Sequence, residues 1–385
     1  MSYDLSSVNE NSILVFEYYT STGLDDLCIS SEAAALVSGL VDDLKDEDVY
    51  FLLSKKYSYL ADGKDANIIV LDEDKSDNAL EDFLIENVRK FKKSIFIASE
   101  EENNLYDLTK FLEDNDVKLY VSNAESTGIC SDKFKMYQAL KSDAIQPFTY
   151  KITLDPNIFW KKPILFNLKS YNMDKENYEY GLDDELIDNL EIKNRFIAKP
   201  INGVDCEDIK IIESREDIDD LENVFTEGSD VLIQEYIEGE VLSVSLISDG
   251  VDAVPLSLNK QFVTISKDKQ QYLGGQVLYN HPALSQIFDS AVEAVKAIEG
   301  LKGFIGVDLI ANKNDNGEYE VYIIEINSRF TTPYVGLRQA LDINIGQTII
   351  DLIDGKISIE DIKDIPVRYP VKFYKKDGLL KLEKA

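Results

Sequence analysis

Histidine is almost missing from this chain of 385 residues; His281 is the sole example. That excludes histidine-based metal sites and argues against Ser-His-Asp and Cys-His nucleophiles. Cysteine is nearly as scarce. Cys28, Cys130 and Cys206 are far apart and odd in number, with no CxxC pair, so neither a disulfide framework nor a zinc ribbon is expected and a reducing cytoplasm fits. Positive charge is short as well, with 40 Lys+Arg against 72 Asp+Glu and a formal net charge of −32. Nucleic-acid phosphates and anionic membranes repel such a surface, so neither is an expected partner. No apolar run approaches the length of a membrane span, and the polar opening from Met1 to Ser12 does not read as a signal peptide. No GxGxxG follows the first predicted strand and no GxxxxGK[ST] occurs, which disfavours Rossmann dinucleotide and P-loop chemistry. If the chain is an enzyme, its chemistry rests on carboxylates, lysines, arginines and metal.

What is present is ample apolar material, 44% of residues, enough for two or three domains. The most informative stretch is Gly303 to Arg329. Two apolar, β-branched runs flank Asn316-Gly317, the dipeptide of a two-residue type I′ hairpin turn. That turn pairs Asp308 with Glu325 and Gly306 with Asn327. Alternation places Asp308, Glu325 and Asn327 on one face and Val307, Leu309, Tyr322, Ile324 and Ile326 on a core-like face. Opposed carboxylates repel, so a cation is expected between them. Asp, Glu and Asn oxygens suit a hard ion such as Mg²⁺ that shares a nucleotide phosphate. Gly306 opposite Asn327 leaves room for a ligand. Only six arginines occur, and Arg329 and Arg338 both lie within thirteen residues of Glu325, where a bidentate grip on carboxylate or phosphate would be useful. The plain alternative is a solvated polar face of a ribbon.

Ahead of the hairpin, residues 12–121 alternate strands and helices: Ile13 to Phe16, Val49 to Leu53, Asn67 to Leu71, Ser94 to Ala98 and Val117 to Val121 read as strands. The alternation predicts a parallel, doubly wound sheet, whose ligands gather at the carboxyl ends of its strands. Glu17, Tyr18, Tyr19 and Glu32 fall near that edge. A helix capped at Ser131 carries Lys133 in its first turn, an unfavourable place for a cation unless an anion binds there. Residues 151–194, with the lone Trp160, read as loop or insertion. Phe196 to Pro200 is an apolar strand ending in Lys199 beside a Gly-containing loop at 202–206, a candidate lid. Val231 to Glu240 is a strand that turns at Gly239.

The ordered set of Lys133, Lys199, Gln-Glu-Tyr-Ile-Glu-Gly at 234–239, Asp308 and Glu-x-Asn-x-Arg at 325–329 resembles the ATP-grasp superfamily of carboxylate–amine ligases over roughly residues 126–345. The resemblance implies an α/β chain: an N-terminal parallel α/β domain (1–125), a first ATP-grasp lobe with an acidic insertion (126–200), a second lobe bearing the metal hairpin (201–345) and a C-terminal tail (346–385). It implies ATP and Mg²⁺ or Mn²⁺ as cofactors. Lys133 and Lys199 would contact ATP phosphates, Gln234 with the backbone of Glu235 and Ile237 the adenine, and Asp308, Glu325 and Asn327 the metal. Arg329, with Lys199, would serve at the reacting phosphate. The acid that grips the ribose in the family stands here as Val241, with Glu240 as its substitute. Phe16-Glu17-Tyr18, Ser31-Glu32, Lys199-Pro200 with Gly203 and Cys206, Tyr272 with Gly274-Gly275, and Glu325 to Pro333 are similar to the ligases that join the γ-carboxylate of L-glutamate to tyramine in archaeal methanofuran biosynthesis, although Ser328 stands where related chains carry Pro. The partners implied are small molecules, and a homodimer is compatible. Tyr18, Tyr19, Tyr272 and Phe330 are candidate walls for an aromatic amine. The alternatives are a ligase for another acid and amine, a nucleotide-binding regulator without chemistry, and a binding protein without nucleotide.

Overall fold

Uninterrupted apolar runs build the first sheet, because strands covered by helices on both faces have no solvent side. In the computed structural model of the chain, which describes residues 3–26, 29–155, 195–202, 209–266 and 269–385, this sheet comprises β1 (Ile13–Glu17), β2 (Val49–Ser54), β3 (Asn67–Leu71), β4 (Lys93–Ile97) and β5 (Lys118–Leu119). All pairs are parallel and the order is β3-β2-β1-β4-β5. Every residue of β1 and β2 is buried. The order reverses between β1 and β4, and the crevice outside their carboxyl ends is where such sheets bind ligands.

The second sheet has four strands, β6 (Thr149–Thr153), β7 (Phe196–Pro200), β8 (Lys210–Ile212) and β9 (Asp230–Glu235), in the order β6-β9-β7-β8. The third has seven antiparallel strands: β10 (Glu240–Asp249), β11 (Ala253–Ser266), β12 (Lys269–Val277), β13 (Lys302–Lys313), β14 (Tyr319–Asn327), β15 (Val371–Lys376) and β16 (Leu379–Lys384), in the order β14-β13-β10-β11-β12-β15-β16. Strands on both sides of residue 200 share the four-stranded sheet, and the tail beyond 345 contributes β15 and β16 to the large one. The helix Leu284–Lys296 buries Ile287, Ala291, Ala294 and Val295, a stripe at helical spacing, in the core of this sheet. Residues 156–194, including most of the expected insertion and Trp160, and residues 203–206 of the expected lid lie outside the described residues. No described helix is long and apolar enough to cross a membrane.

Gly274 and Gly275 have a packing cause. A Cβ on Gly274, at φ +129°, would meet the Phe373 carbonyl oxygen at 2.1 Å, and one on Gly275 would meet that of Lys260 at 2.6 Å. Only glycine lets β12 run this close to both neighbours.

The N-terminal layer is tied to the C-terminal helices through Asp43, buried at the end of the helix Ser30–Asp43. Its carboxylate accepts from Tyr334 Oη (2.7 Å), Arg338 Nε (2.8 Å) and the Gly346 amide (3.1 Å). Arg338 is thus structural here and is not one of the residues lining the cleft described below, against the expectation that it would help hold the ligand. Asp43→Ala would leave a guanidinium and a buried hydroxyl unpaired. It should cost about 3 kcal/mol or more of stability, seen as a lower thermal unfolding midpoint; an unchanged midpoint would show that the tie is dispensable.

Candidate active site

The hairpin reaches its expected pairing by an unexpected route. Its turn is one residue longer than the two-residue form: Gly317 N donates to Asn314 O (2.9 Å), Asn314 N donates to Glu318 O (2.9 Å), and Gly317 sits at φ +84°. A type I turn closed by a left-handed glycine has this pattern. Pairs near the turn, from Lys313↔Tyr319 to Leu309↔Ile323, are therefore one residue out of the expected register. A bulge beside Asp308 makes Ile324 the extra residue of β14 and restores Asp308↔Glu325 and Gly306↔Asn327. Val307, Leu309 and Ile326 face the core as expected. Ile324 does not; it lines the cleft, Ile323 takes the core position, and Tyr322 is half-buried with its hydroxyl donating to Glu320. Gly306 lines the cleft described below, beside Thr331, whose Cγ2 a Cβ at Gly306 would meet at 2.9 Å.

A cleft of about 370 Å³ lies where the three sheets converge, lined by Lys133, Lys199, Asp308, Glu325, Asn327 and Arg329 among others. Lys133 is the first residue of the helix Lys133–Ala139. Asp132, not Ser131, caps that helix, accepting from Phe134 N and Lys135 N. Lys133 is buried, and its Nζ donates to Glu325 Oε1 at 2.8 Å. Lys199, buried on β7, donates to Gln234 Oε1 (3.0 Å), while Gln234 Nε2 donates to Thr149 Oγ1 (2.9 Å). Asp308 is held by Gln261 Nε2 at 2.6 Å and Asn327 Nδ2 at 2.9 Å. Arg329 closes the far side, with Nε and Nη2 on Glu100 Oε2 at 2.8 and 2.7 Å.

The charges are unequal in their comfort. Burial and then the Glu325 charge push the Asp308 carboxyl up to about 6. Burial also works to raise Glu325, but Lys133, Lys199 and Arg329 together outweigh it, and its net shift is downward. Burial works to lower Lys133, and Glu325 more than offsets it, so the lysine stays charged. A site that raises one carboxylate beside another accepts positive charge readily. Among the described residues no group of three or more His, Cys, Asp and Glu could hold a metal. Asp308, Glu325 and the carbonyl oxygen of Asn327 nevertheless form a set of hard oxygen donors. That set fits Mg²⁺, an ion that keeps waters and shares phosphate oxygens.

Gln234 and Glu235, at the end of β9, and Tyr236 and Ile237, on the link to β10, line the same cleft as the lysines. Glu240 is not among the lining residues; its carboxylate meets Lys260 Nζ (3.1 Å) and Tyr279 Oη (3.2 Å), and Val241 faces the cleft instead. Of the candidate aromatic walls, Tyr19 and Tyr272 line the cleft. Phe330 is fully buried against Phe304 and Tyr334, and Tyr18 packs edge-on to Tyr19. Gln261 and Glu100 are additions. Glu100 follows β4, so the strand-order reversal could have flagged it; no motif marks Gln261.

Family comparison matches the ATP-grasp domain to residues 130–333. The chain belongs to the ATP-grasp family. It is 34% identical over 331 residues to a tyramine–L-glutamate ligase of Methanocaldococcus jannaschii, covering 85% of this chain and 84% of that one. To the tyramine–L-glutamate ligase of Methanocaldococcus fervens it is 30% identical over 328 residues, covering 85% and 89%. The solved structure of an ATP-grasp superfamily protein of Archaeoglobus fulgidus superposes with a TM-score of 0.66 at 22% identity, over 97% of this chain and 99% of that one. The α/β class, with a parallel N-terminal sheet followed by an ATP-grasp unit, holds as expected, and the sheets of that unit are antiparallel.

Glu17 ends β1 inside this ATP-grasp cleft and caps the short helix Tyr18–Thr22 through the Tyr19 and Thr20 amides. Burial raises its carboxyl to about 7, against the pull of those amides and of Arg329. A raised acid favours the native state below its unfolded value and loses that advantage as pH climbs through the folded value. From about pH 5 to about pH 8 the wild type should therefore lose up to roughly 3 kcal/mol that Glu17→Gln retains, measured by urea unfolding at both ends. Parallel pH profiles for the two proteins would refute this.

Proposed function

We propose that this ATP-grasp protein is an ATP-dependent carboxylate–amine ligase that joins the γ-carboxylate of L-glutamate to tyramine, as a step of methanofuran biosynthesis in the cytoplasm. The observation that carries the reading is the paired Asp308 and Glu325, met by lysines from two separate elements in one cleft. It is supported by the 30% and 34% identity to tyramine–L-glutamate ligases over 85% of the chain.

Lys133 and Lys199 bind the ATP phosphates, and the segment Gln234 to Ile237 receives the adenine. Gln234 is already engaged by Lys199 and Thr149, so much of the adenine contact falls to the backbone of Glu235 and Ile237. Asp308, Glu325 and Asn327 would hold Mg²⁺ or Mn²⁺, which supplies charge neutralisation at the transferring phosphoryl group. The glutamate γ-carboxylate oxygen attacks the terminal phosphorus of ATP and ADP leaves. The ammonium of the second substrate gives up a proton to solvent, its nitrogen then attacks the acyl carbon, inorganic phosphate departs and the nitrogen sheds its second proton. Arg329 stands at the acyl phosphate, its fork oriented by Glu100. Placement and electrostatics carry this chemistry, so the lack of a histidine base is no obstacle.

Two measurements test the reading. Mg-ATP at about a hundred times its dissociation constant should stabilise the fold by roughly 2.7 kcal/mol, and millimolar ligand without any thermal shift would refute nucleotide binding. Glu325→Gln should lower kcat for ADP release with L-glutamate and tyramine by at least about a hundredfold, with its circular dichroism unchanged. Near-normal turnover at ordinary Mg²⁺ would remove Glu325 from the metal site.

A further inference from the structure

The proposed function uses the cleft from Gln234 to Arg329. The same cleft continues past Arg329 to the carboxyl edge of the parallel sheet, where the chemistry of its walls changes. There Ile29, Ala33 and Leu36, from the start of the helix Ser30–Asp43, face the cleft together with Ile97 and Pro333. The three helix-side residues follow the spacing of one helical face. Two carboxylates, Glu17 and Glu32, are set into this apolar wall. Lys133, Lys199 and Arg329 are the basic residues of the lining, and Arg329 is already gripped by Glu100.

Glu32 is fixed in place. Its Oε2 accepts from Thr332 Oγ1 (3.2 Å) and its Oε1 pairs with Lys375 Nζ (3.3 Å). Its side chain is only 15% exposed. Thr332 lies three residues after Arg329, so this carboxylate is anchored to the segment that carries the arginine. Burial holds Glu17 substantially protonated near neutral pH, so Glu32, its charge shared with Lys375, is the anionic group of this edge. A primary amine arrives as an ammonium ion on a hydrocarbon body and matches both features.

We propose that this edge of the cleft is the amine subsite, in which Ile29, Ala33, Leu36 and Pro333 hold the apolar body of an arylalkyl amine and the Glu32 carboxylate draws its ammonium group. The proposal rests on the ligase reading above. It makes the first helix of the parallel layer the determinant of amine selectivity. That divides the labour of the cleft, with acid and nucleotide handled by the antiparallel sheets and the amine by the parallel one.

The test compares two amines of different bulk, tyramine and hydroxylamine, in ADP release with ATP, Mg²⁺ and L-glutamate. Ala33→Leu fills the slot and should lower the ratio of kcat/KM for tyramine over that for hydroxylamine by about tenfold or more. Ile29→Trp, at a half-buried position, narrows the same slot from its mouth and should act in the same direction should Ala33→Leu fold poorly. Glu32→Gln should raise KM for tyramine about tenfold more than KM for ATP, and Glu32→Asp should recover part of the loss. Equal losses for both amines, or an unchanged KM for tyramine in Glu32→Gln, would overturn the subsite while leaving the ligase reading intact. A wild type that releases no ADP with glutamate and either amine would overturn both.

Discussion

Two carboxylates side by side on neighbouring strands, Asp308 and Glu325, are the constraint around which the molecule is arranged. Like charges at that separation in a partly buried cleft are tolerated only with compensating charge or hydrogen bonds. The chain supplies these from far away in sequence. Lys133 comes from a helix start, Lys199 from β7 of the four-stranded sheet, Gln261 from β11, and Arg329 from just beyond β14. Glu325 draws most of this positive charge and stays ionised, while Asp308 is left raised to about 6. The unevenness is itself informative, since it leaves the pair short of positive charge on the Asp308 side, where Asn327 also sits.

The pairing of these acids was legible because strand alternation and a turn signal constrain a hairpin strongly. The turn itself was not, since Asn-Gly serves a two-residue turn and a longer one equally well. The error of one residue at the turn is cancelled by the bulge at Ile324. The cancellation has a physical reason. A one-residue slip carried to the end of β14 would turn Glu325 into the core and Ile326 into the cleft, whereas a bulge costs one local distortion. Burial pressure on Ile323 and Ile326 and the charge of Glu325 together select the bulged form.

Legibility followed locality. The buried strands of the parallel sheet, the helix at Lys133 and the run at 234–239 announce themselves in a few consecutive residues. Arg338 did not, because proximity in sequence to Glu325 says nothing about which way a helix presents it; Asp43, some three hundred residues earlier, decides that. Gln261 was invisible for the same reason, and Glu100 could be flagged only through the strand order at the end of β4. Each is an ordinary polar residue until the sheet order puts it opposite Arg329 or Asp308. Glu240 shows the reverse case, a residue of suitable type at almost the right place whose strand position turns it toward Lys260 instead.

A net charge of −32 looks ill suited to binding a polyanion such as ATP. The conflict dissolves with distance. Charges on the solvated surface are screened beyond roughly 8 Å at physiological salt, so the acidic exterior contributes little at the floor of the cleft. Lys133 and Lys199 are buried, with 8% and 6% of their surfaces exposed, and their fields are screened far less. What a nucleotide meets is therefore the local arrangement and not the overall sum. The same reasoning bears on the other edge of the cleft, where Glu17 and Glu32 face the interior instead of bulk solvent. Glu32, only 15% exposed, acts there at closer range than the screened acidic surface, while burial keeps Glu17 substantially protonated near neutral pH. One cleft can thus hold opposite electrostatic preferences at its two ends, as a reaction between a carboxylate, a nucleotide and an amine requires.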